Sequence, residues 1–195
     1  MTVSKKPKPY KFSSDLRYGE DDIIPYEEQL DMLLSKGFAL WDLIGSCERK
    51  GSLDADIKSE VPNNIKKFCD ENPSVKRIVF SNGKMQSDMF KKHFKEWWET
   101  GQLVPAVDSQ SQAIFGKVYE KSRLKGNSRK TSCDRTIECV CALAVSPAAA
   151  SISYIQKREF WEANCYIPGL LDFEKWKKSL REHVEFHETF FSKAC

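Results

Sequence analysis

Three short apolar runs, each closed by small or polar residues and separated by helix-patterned sequence, constrain this chain more than any other feature. They span residues 38–44, 77–80 and 139–145, and they stop at Gly45-Ser46, Ser81-Asn82-Gly83 and Ser146-Pro147. Runs this short are read as buried strands rather than helices. Strands alternating with helices predict an α/β fold, a parallel sheet with helices packed on it. Open sheets of that kind bind ligands beyond the carboxyl ends of their strands. The loops over residues 42–54, 81–84 and 146–151 are therefore expected to converge on one site.

The intervening sequence supplies the helices. Leu30, Leu33 and Leu34 recur at helical spacing, with Pro25 in the first turn and Gly37 at the stop, and predict a helix over residues 25–36. Asn63 or Asn64 can cap a helix running to about Cys69. Met85, Met89, Phe90, Phe94, Trp97 and Trp98 predict one helix over residues 84–98, and their stripe reads as core. Further helices are expected over residues 152–164 and 172–192. The last carries Phe173, Trp176, Leu180, Val184, His187 and Phe191 near one face. Residues 54–62 read as a polar loop. Residues 102–134 show no clear period, and residues 122–136, basic among Gly, Asn and Ser, read as a long exposed loop. Residues 1–22 are polar and core-poor, an expected irregular tail before one domain over residues 23–195.

Composition narrows the function classes. Thirty-one basic against 28 acidic side chains leave a formal charge of +3, too mild to announce a nucleic-acid partner, although net charge does not register local patches. Seven cysteines with no C-x-x-C pair argue against a zinc ribbon and for a reducing compartment, nucleus or cytoplasm. No stretch approaches the roughly 20 apolar residues of a membrane span. No apolar segment follows the basic residues 1–9, so no secretory signal is expected. Gly83-Lys84 resembles the end of a phosphate-binding loop. Ile78 and Met85 stand where that motif requires Gly and Ser or Thr, which rejects nucleoside triphosphate hydrolysis. His183 and His187 are four apart, but Val184 occupies the glutamate position of H-E-x-x-H and no third ligand is evident, so no metal is expected.

The strand-end loops taken together carry the chemistry. The first reads Leu40-Trp41-Asp42, then Ser46-Cys47-Glu48-Arg49-Lys50-Gly51-Ser52-Leu53-Asp54, then Val61-Pro62-Asn63. The second is Phe80-Ser81-Asn82-Gly83-Lys84 and the third Ser146-Pro147-Ala148-Ala149-Ala150. This set resembles the uracil-DNA glycosylase superfamily, most closely its hypoxanthine-DNA (deoxyinosine) glycosylase branch. That branch has "LWD…SC.R.GSLD…VPN", "FNGK" and "STSPANA" in the same order. The first segment is long and specific; the others are weak alone. The resemblance covers residues 25–92 and 142–161, around half the chain.

The resemblance implies a three-layer α/β/α fold that hydrolyses the N-glycosidic bond of deaminated bases, hypoxanthine and by extension uracil, in DNA. It implies a monomer needing no cofactor and no metal. The target atom lies within the duplex stack, so the nucleotide must be flipped out. Cleavage builds positive charge on the sugar and negative charge on the base, which calls for donors towards the base and a placed water. By resemblance Trp41, Asp42, Ser46, Cys47 and Asn82 fall in the base pocket, and Arg49, Lys84, Ser146, Pro147, Ala148 and Ala149 on the DNA. Plainer roles stand beside these. Trp41 can be a core aromatic, Asp42 a turn cap, Arg49 a partner of Asp54, Asn82 a helix cap, and Ser146-Pro147 a helix start. The sequence also departs from the family. The first motif, a strand with a "GSFPS"- or "GxxPG"-like turn, and the later "NRFW" segment are not found in residues 1–18. The family's first strand is thus missing, and no catalytic residue is assigned. Ala149 stands where the branch has Asn, and residues 110–135 form an insertion. A relative that has lost catalysis and binds DNA or protein is the alternative. An enzyme on free nucleosides is a third class, mildly disfavoured by the basic residues 123–135.

Overall fold

Residues 26–51, 56–124, 135–145 and 151–192 are described in the computed structural model of the chain. Three strands, β3 (Arg77–Phe80), β4 (Leu103–Pro105) and β5 (Ile137–Cys141), form a parallel sheet in the order β3-β5-β4. Arg77 lies opposite Glu138 and Phe80 opposite Cys141, while Leu103 lies opposite Ile137 and Pro105 opposite Cys139. The central strand is apolar on both sides, as a parallel strand between helices must be. Alternate residues sort to opposite faces. Ile78, Phe80, Ile137, Cys139 and Cys141 join one cluster with Phe90, Trp97, Trp98, Leu103 and Phe115. Val79, Val140 and Ala142 join the other with Ala106, Cys165, Phe160 and Trp161. The α/β expectation and the second and third strands are therefore observed, the third as Ile137–Cys141 rather than residues 139–145.

The first apolar run is a correction. Residues 38–43 form no strand, and of that run only Leu43 is buried, whereas Leu40 and Trp41 are 70% and 50% exposed. The chain enters β1 (Ile44–Arg49) afterwards. It pairs antiparallel with β2 (Ile57–Pro62) as a separate two-stranded sheet. Residues 57–62, expected as loop, hide their strand because the ribbon is largely exposed on both faces and shows no apolar alternation. The remaining place in the parallel sheet goes to β4, which is too short, and too marked by Pro105, to be read from sequence.

The helices are α1 (Tyr26–Leu34), α2 (Ile65–Glu71), α3 (Gly83–His93), α4 (Lys95–Glu99), α5 (Ser109–Leu124), α6 (Tyr154–Trp161) and α7 (Ile167–Ser192). The helix expected over residues 84–98 breaks at Phe94, yet Phe90, Trp97 and Trp98 are buried as core. Residues 109–124, within the stretch without clear period and partly within the expected loop, form α5; residues 125–134 lie outside the description. Between α6 and α7 no break occurs. Pro168 cannot donate to the carbonyl four residues back, and its ring crowds that carbonyl. A π-turn over Glu162–Tyr166 absorbs the mismatch, with the Ile167 N–H reaching the Glu162 carbonyl. Two glycines bring α7 against the exit of α1. A Cβ at Gly37 would lie 2.5 Å from the Phe173 ring, and one at Gly169 would lie 2.8 Å from the Phe38 ring. No helix among the described residues is long and apolar enough to cross a membrane.

Candidate functional site

At the carboxyl end of β3 the chain turns through Ser81-Asn82-Gly83 into α3. Gly83 has φ +56, and a Cβ there would sit 3.3 Å from the Ala142 carbonyl oxygen. The β3 turn therefore lies directly against the exit of β5. Asn82 occupies the N-cap position of α3, but its side chain makes no capping bond. Instead its backbone N–H donates to Gln86 Oε1 at 3.1 Å. Ser87 closes the first turn by donating to the Gly83 carbonyl. The exposed Asn82 amide thus keeps a donor and an acceptor at the sheet's end. Lys84 beside it is 74% exposed and pairs with Asp88 at 2.5 Å. Hydrogen bonding to Asp88 holds the Lys84 ammonium above its ordinary range, and Lys84 with Lys91 holds the Asp88 carboxyl below its own.

Between β4 and β5 the ladder ends early, and side chains replace it. Ala106 N–H still donates to the Cys139 carbonyl. One step further, the Cys141 N–H donates to Ser111 Oγ at 2.8 Å instead of to a strand carbonyl. Gln110 donates to the carbonyls of Cys141 and Ala142 at 2.9 and 3.3 Å, and Gln112 donates to that of Ala106 at 2.7 Å. The first turn of α5 is thus a polar wedge that parts the two strand exits while satisfying their backbone. Trp161 completes the frame by donating its indole N–H to the Leu143 carbonyl at 2.8 Å. Gln110, Ser111, Gln112 and Trp161 were not candidates from sequence. The only signal, a Gln/Ser-rich helix start after Pro105, is too common to read.

Asp108 sits in this wedge. Its Oδ1 accepts the Ser111 N–H at 2.8 Å and starts α5. Its Oδ2 is buried without a hydrogen-bond partner. Cys165 lies within reach of this charge. Burial pushes the Cys165 thiol up to about 12, with Arg77 pulling it down and Asp108 adding to the rise.

The first segment is held elsewhere on the frame. The Asn63 N–H donates to the Leu43 carbonyl and Asn63 Nδ2 to the Asp42 carbonyl, while Asn64 caps α2 through the Lys67 N–H. A Cβ on Gly45 would meet Asn63 Oδ1 at 2.7 Å, so the glycine and the asparagine clasp the base of the hairpin together. Trp41 packs edge-on against Phe68, with ring centroids 4.8 Å apart. Ser46, Cys47 and Arg49 lie exposed along β1, opposite β2. Glu60 of β2 binds Lys92, and His93 Nε2 lies 3.5 Å from the same carboxylate. That tether is at the last turn of α3, roughly 15 Å along the helix from Asn82 at a rise of ~1.5 Å per residue. The structure thus brings the β3 turn and the β5 exit together and ties the hairpin to the opposite end of α3. Ser146, Pro147, Ala148, Ala149 and Asp54 lie outside the described residues, as do the side chains of His183 and His187.

No family model, curated protein or solved structure matches this chain. Among the described residues no cluster of His, Cys, Asp and Glu could hold a metal ion. Chemically, the frame offers a neutral amide at Asn82, a cation at Lys84 and an unpaired carboxylate oxygen at Asp108, carried on the carboxyl side of one parallel sheet.

Proposed function

We propose that this chain is a DNA glycosylase of the uracil-DNA glycosylase type, with a three-layer α/β/α arrangement, that hydrolyses the N-glycosidic bond of hypoxanthine or uracil in DNA. The reading rests on the ordered strand-end segments of the sequence. The observation that carries it is the Asn82-Gly83 turn. It presents an uncommitted amide at the carboxyl end of β3, pressed against the β5 exit. An amide in that position can donate to a base oxygen and accept from a base N–H, which is what recognition of a flipped Watson–Crick edge requires. Lys84 adds phosphate attraction at the same rim. In this reading Trp41 and Asp42 contribute a wall of the pocket, Arg49 contacts DNA, and the protein acts as a monomer in the nucleus or cytoplasm; Ser46 and Cys47, beside the Glu60 tether at the far end of α3, take no part in that wall.

The test is direct. Full-length protein is incubated with end-labelled duplexes holding hypoxanthine, uracil or only normal bases, then treated with alkali. Breaks confined to the modified position are expected, and Asn82→Ala should slow them by roughly 10²-fold or more, as loss of one positioned donor does. Salt-sensitive binding without breaks would favour the binding-only relative, and the absence of both breaks and binding would retire the DNA reading.

A further inference from the structure

We propose that Gln86 is a positioning residue of this site, holding the Asn82 carboxamide off its own helix so that it stays free for a base; this rests on the glycosylase reading above. The starting observation is a helix cap that is only half made. An ordinary N-cap side chain accepts an N–H from the first turn of its helix. Where a Gln or Glu of that turn also reaches back to the cap's own N–H, the two bonds form a reciprocal box. In this molecule α6 carries the complete arrangement. Ser153, with ψ 156, accepts the Gln156 N–H through its side chain, and Gln156 Oε1 accepts the Ser153 N–H at 3.0 Å. At α2 the cap is again a side chain, Asn64 accepting the Lys67 N–H. At α3 only the return bond exists. Gln86 Oε1 accepts the Asn82 N–H at 3.1 Å, and the Asn82 side chain makes no capping bond.

Spacing and backbone account for the asymmetry. Gln156 stands three residues after its cap, whereas Gln86 stands four after Asn82. One further residue turns the return bond by about 100° around the helix axis. Asn82 accordingly has φ −102 and ψ 30, in the bridge region rather than the extended one of Ser153, and Gly83 follows at φ +56. Two side chains of the first turn hold this conformation. The buried Ser87 donates to the Gly83 carbonyl at 2.9 Å, and Gln86 takes the N–H of Asn82 itself. A pinned N–H limits rotation about the backbone of Asn82 and so fixes where its Cβ points. Released from Gln86, Asn82 gains the freedom to cap α3 with its side chain, as Asn64 caps α2, and the carboxamide is lost to a substrate. Gln86 is only half-buried, so it can be replaced without opening the core.

The experiment uses the full chain with Gln86→Leu, which removes the acceptor at similar size, and with Gln86→Glu, which keeps an acceptor oxygen and suits the positive end of a helix. Both are made alone and together with Asn82→Ala, which deletes the carboxamide but leaves the N–H that Gln86 holds. Single-turnover cleavage of the hypoxanthine duplex is measured for each. Gln86→Leu is expected to cleave about tenfold more slowly than the unaltered chain, as a mispositioned group does. Gln86→Glu should stay within about twofold of it, and Gln86→Leu should cost less than about twofold more once Asn82 is alanine. Exchange of the Asn82 backbone amide, followed by NMR, should be faster in Gln86→Leu and unchanged in Gln86→Glu.

A tenfold loss that persists in the Asn82→Ala background would mean that Gln86 acts on the fold and not through the carboxamide. Gln86→Leu cleaving at the original rate, Gln86→Glu as slow as Gln86→Leu, or an Asn82 amide that exchanges alike in all three proteins would each overturn the positioning role and leave the glycosylase reading standing. An unaltered chain that cleaves neither the hypoxanthine nor the uracil duplex overturns that reading, and the role of Gln86 with it.

Discussion

Single residues decide how closely the parts of this molecule approach. Gly83 is the sharpest case: its φ of +56 is costly for an L-residue, and the Ala142 carbonyl is 3.3 Å from where a Cβ would lie. Gly83→Ala is expected to destabilise the fold by about 1–2 kcal/mol through the left-handed backbone alone, seen as a lower urea midpoint at unchanged slope. An unchanged midpoint would mean that the turn relaxes away from β5 at no cost. Asn63 is a second case, since what resembles a family motif in sequence acts here as a clasp between the hairpin's two ends. Arg135 is a third. Lying in a stretch read as exposed loop, its guanidinium donates to the carbonyls of Cys69, Asn72 and Val75 and binds the end of α2 to the start of β5. Nothing in its neighbourhood of sequence announces this, because the carbonyls it satisfies lie some 60 residues away.

At the scale of elements, the hairpin β1–β2 depends on its tether. A two-stranded ribbon alone is marginal in water, and Glu60 joins this one to Lys92 at the end of α3. Hydrogen bonding to Lys92 holds the Glu60 carboxyl below its ordinary 4.5. A depressed folded-state value means the contribution is fully present above 4.5 and lost as pH falls through the lower, folded value. Hydrogen exchange, corrected for its intrinsic pH dependence, should show protection of the β1 and β2 amides falling as pH drops from about 6 to about 3. Glu60→Gln should have weaker protection at neutral pH and little further loss in acid. Equal acid loss in both proteins would place the tether elsewhere. The π-turn before α7 belongs to the same scale: Pro168 looks like a helix terminator, and the chain instead shifts its hydrogen-bond register and continues.

For the whole molecule, two faces of one small sheet take two different covers, a large aromatic cluster on one side and a small-residue cluster on the other. Asp108 adjoins the second through Cys165, on whose thiol its charge acts. Ile167, Leu171 and Trp176 on α7 are 53%, 56% and 45% exposed, which bears on assembly. The monomer reading predicts a light-scattering mass near 22.5 kDa at micromolar concentration. A mass of twice that would overturn the monomer reading.

Apolar runs and their stops were enough to predict an α/β fold and to locate β3 and β5, because buried central strands must be apolar whatever surrounds them. Alternation of strand and helix also pointed to the carboxyl ends of the strands, where Asn82 and Gly83 lie. Other features depended on partners distant along the chain. The run over residues 38–44 is as apolar as a strand, yet only the packing of α2 and the pairing of β2 decide that the chain pairs after it rather than within it. The wedge of Gln110, Ser111 and Gln112 and the unpaired oxygen of Asp108 are invisible in sequence for the same reason. Gln110 and Ser111 meet backbone groups of β5, some thirty residues on, and only the folded sheet brings them within hydrogen-bonding distance.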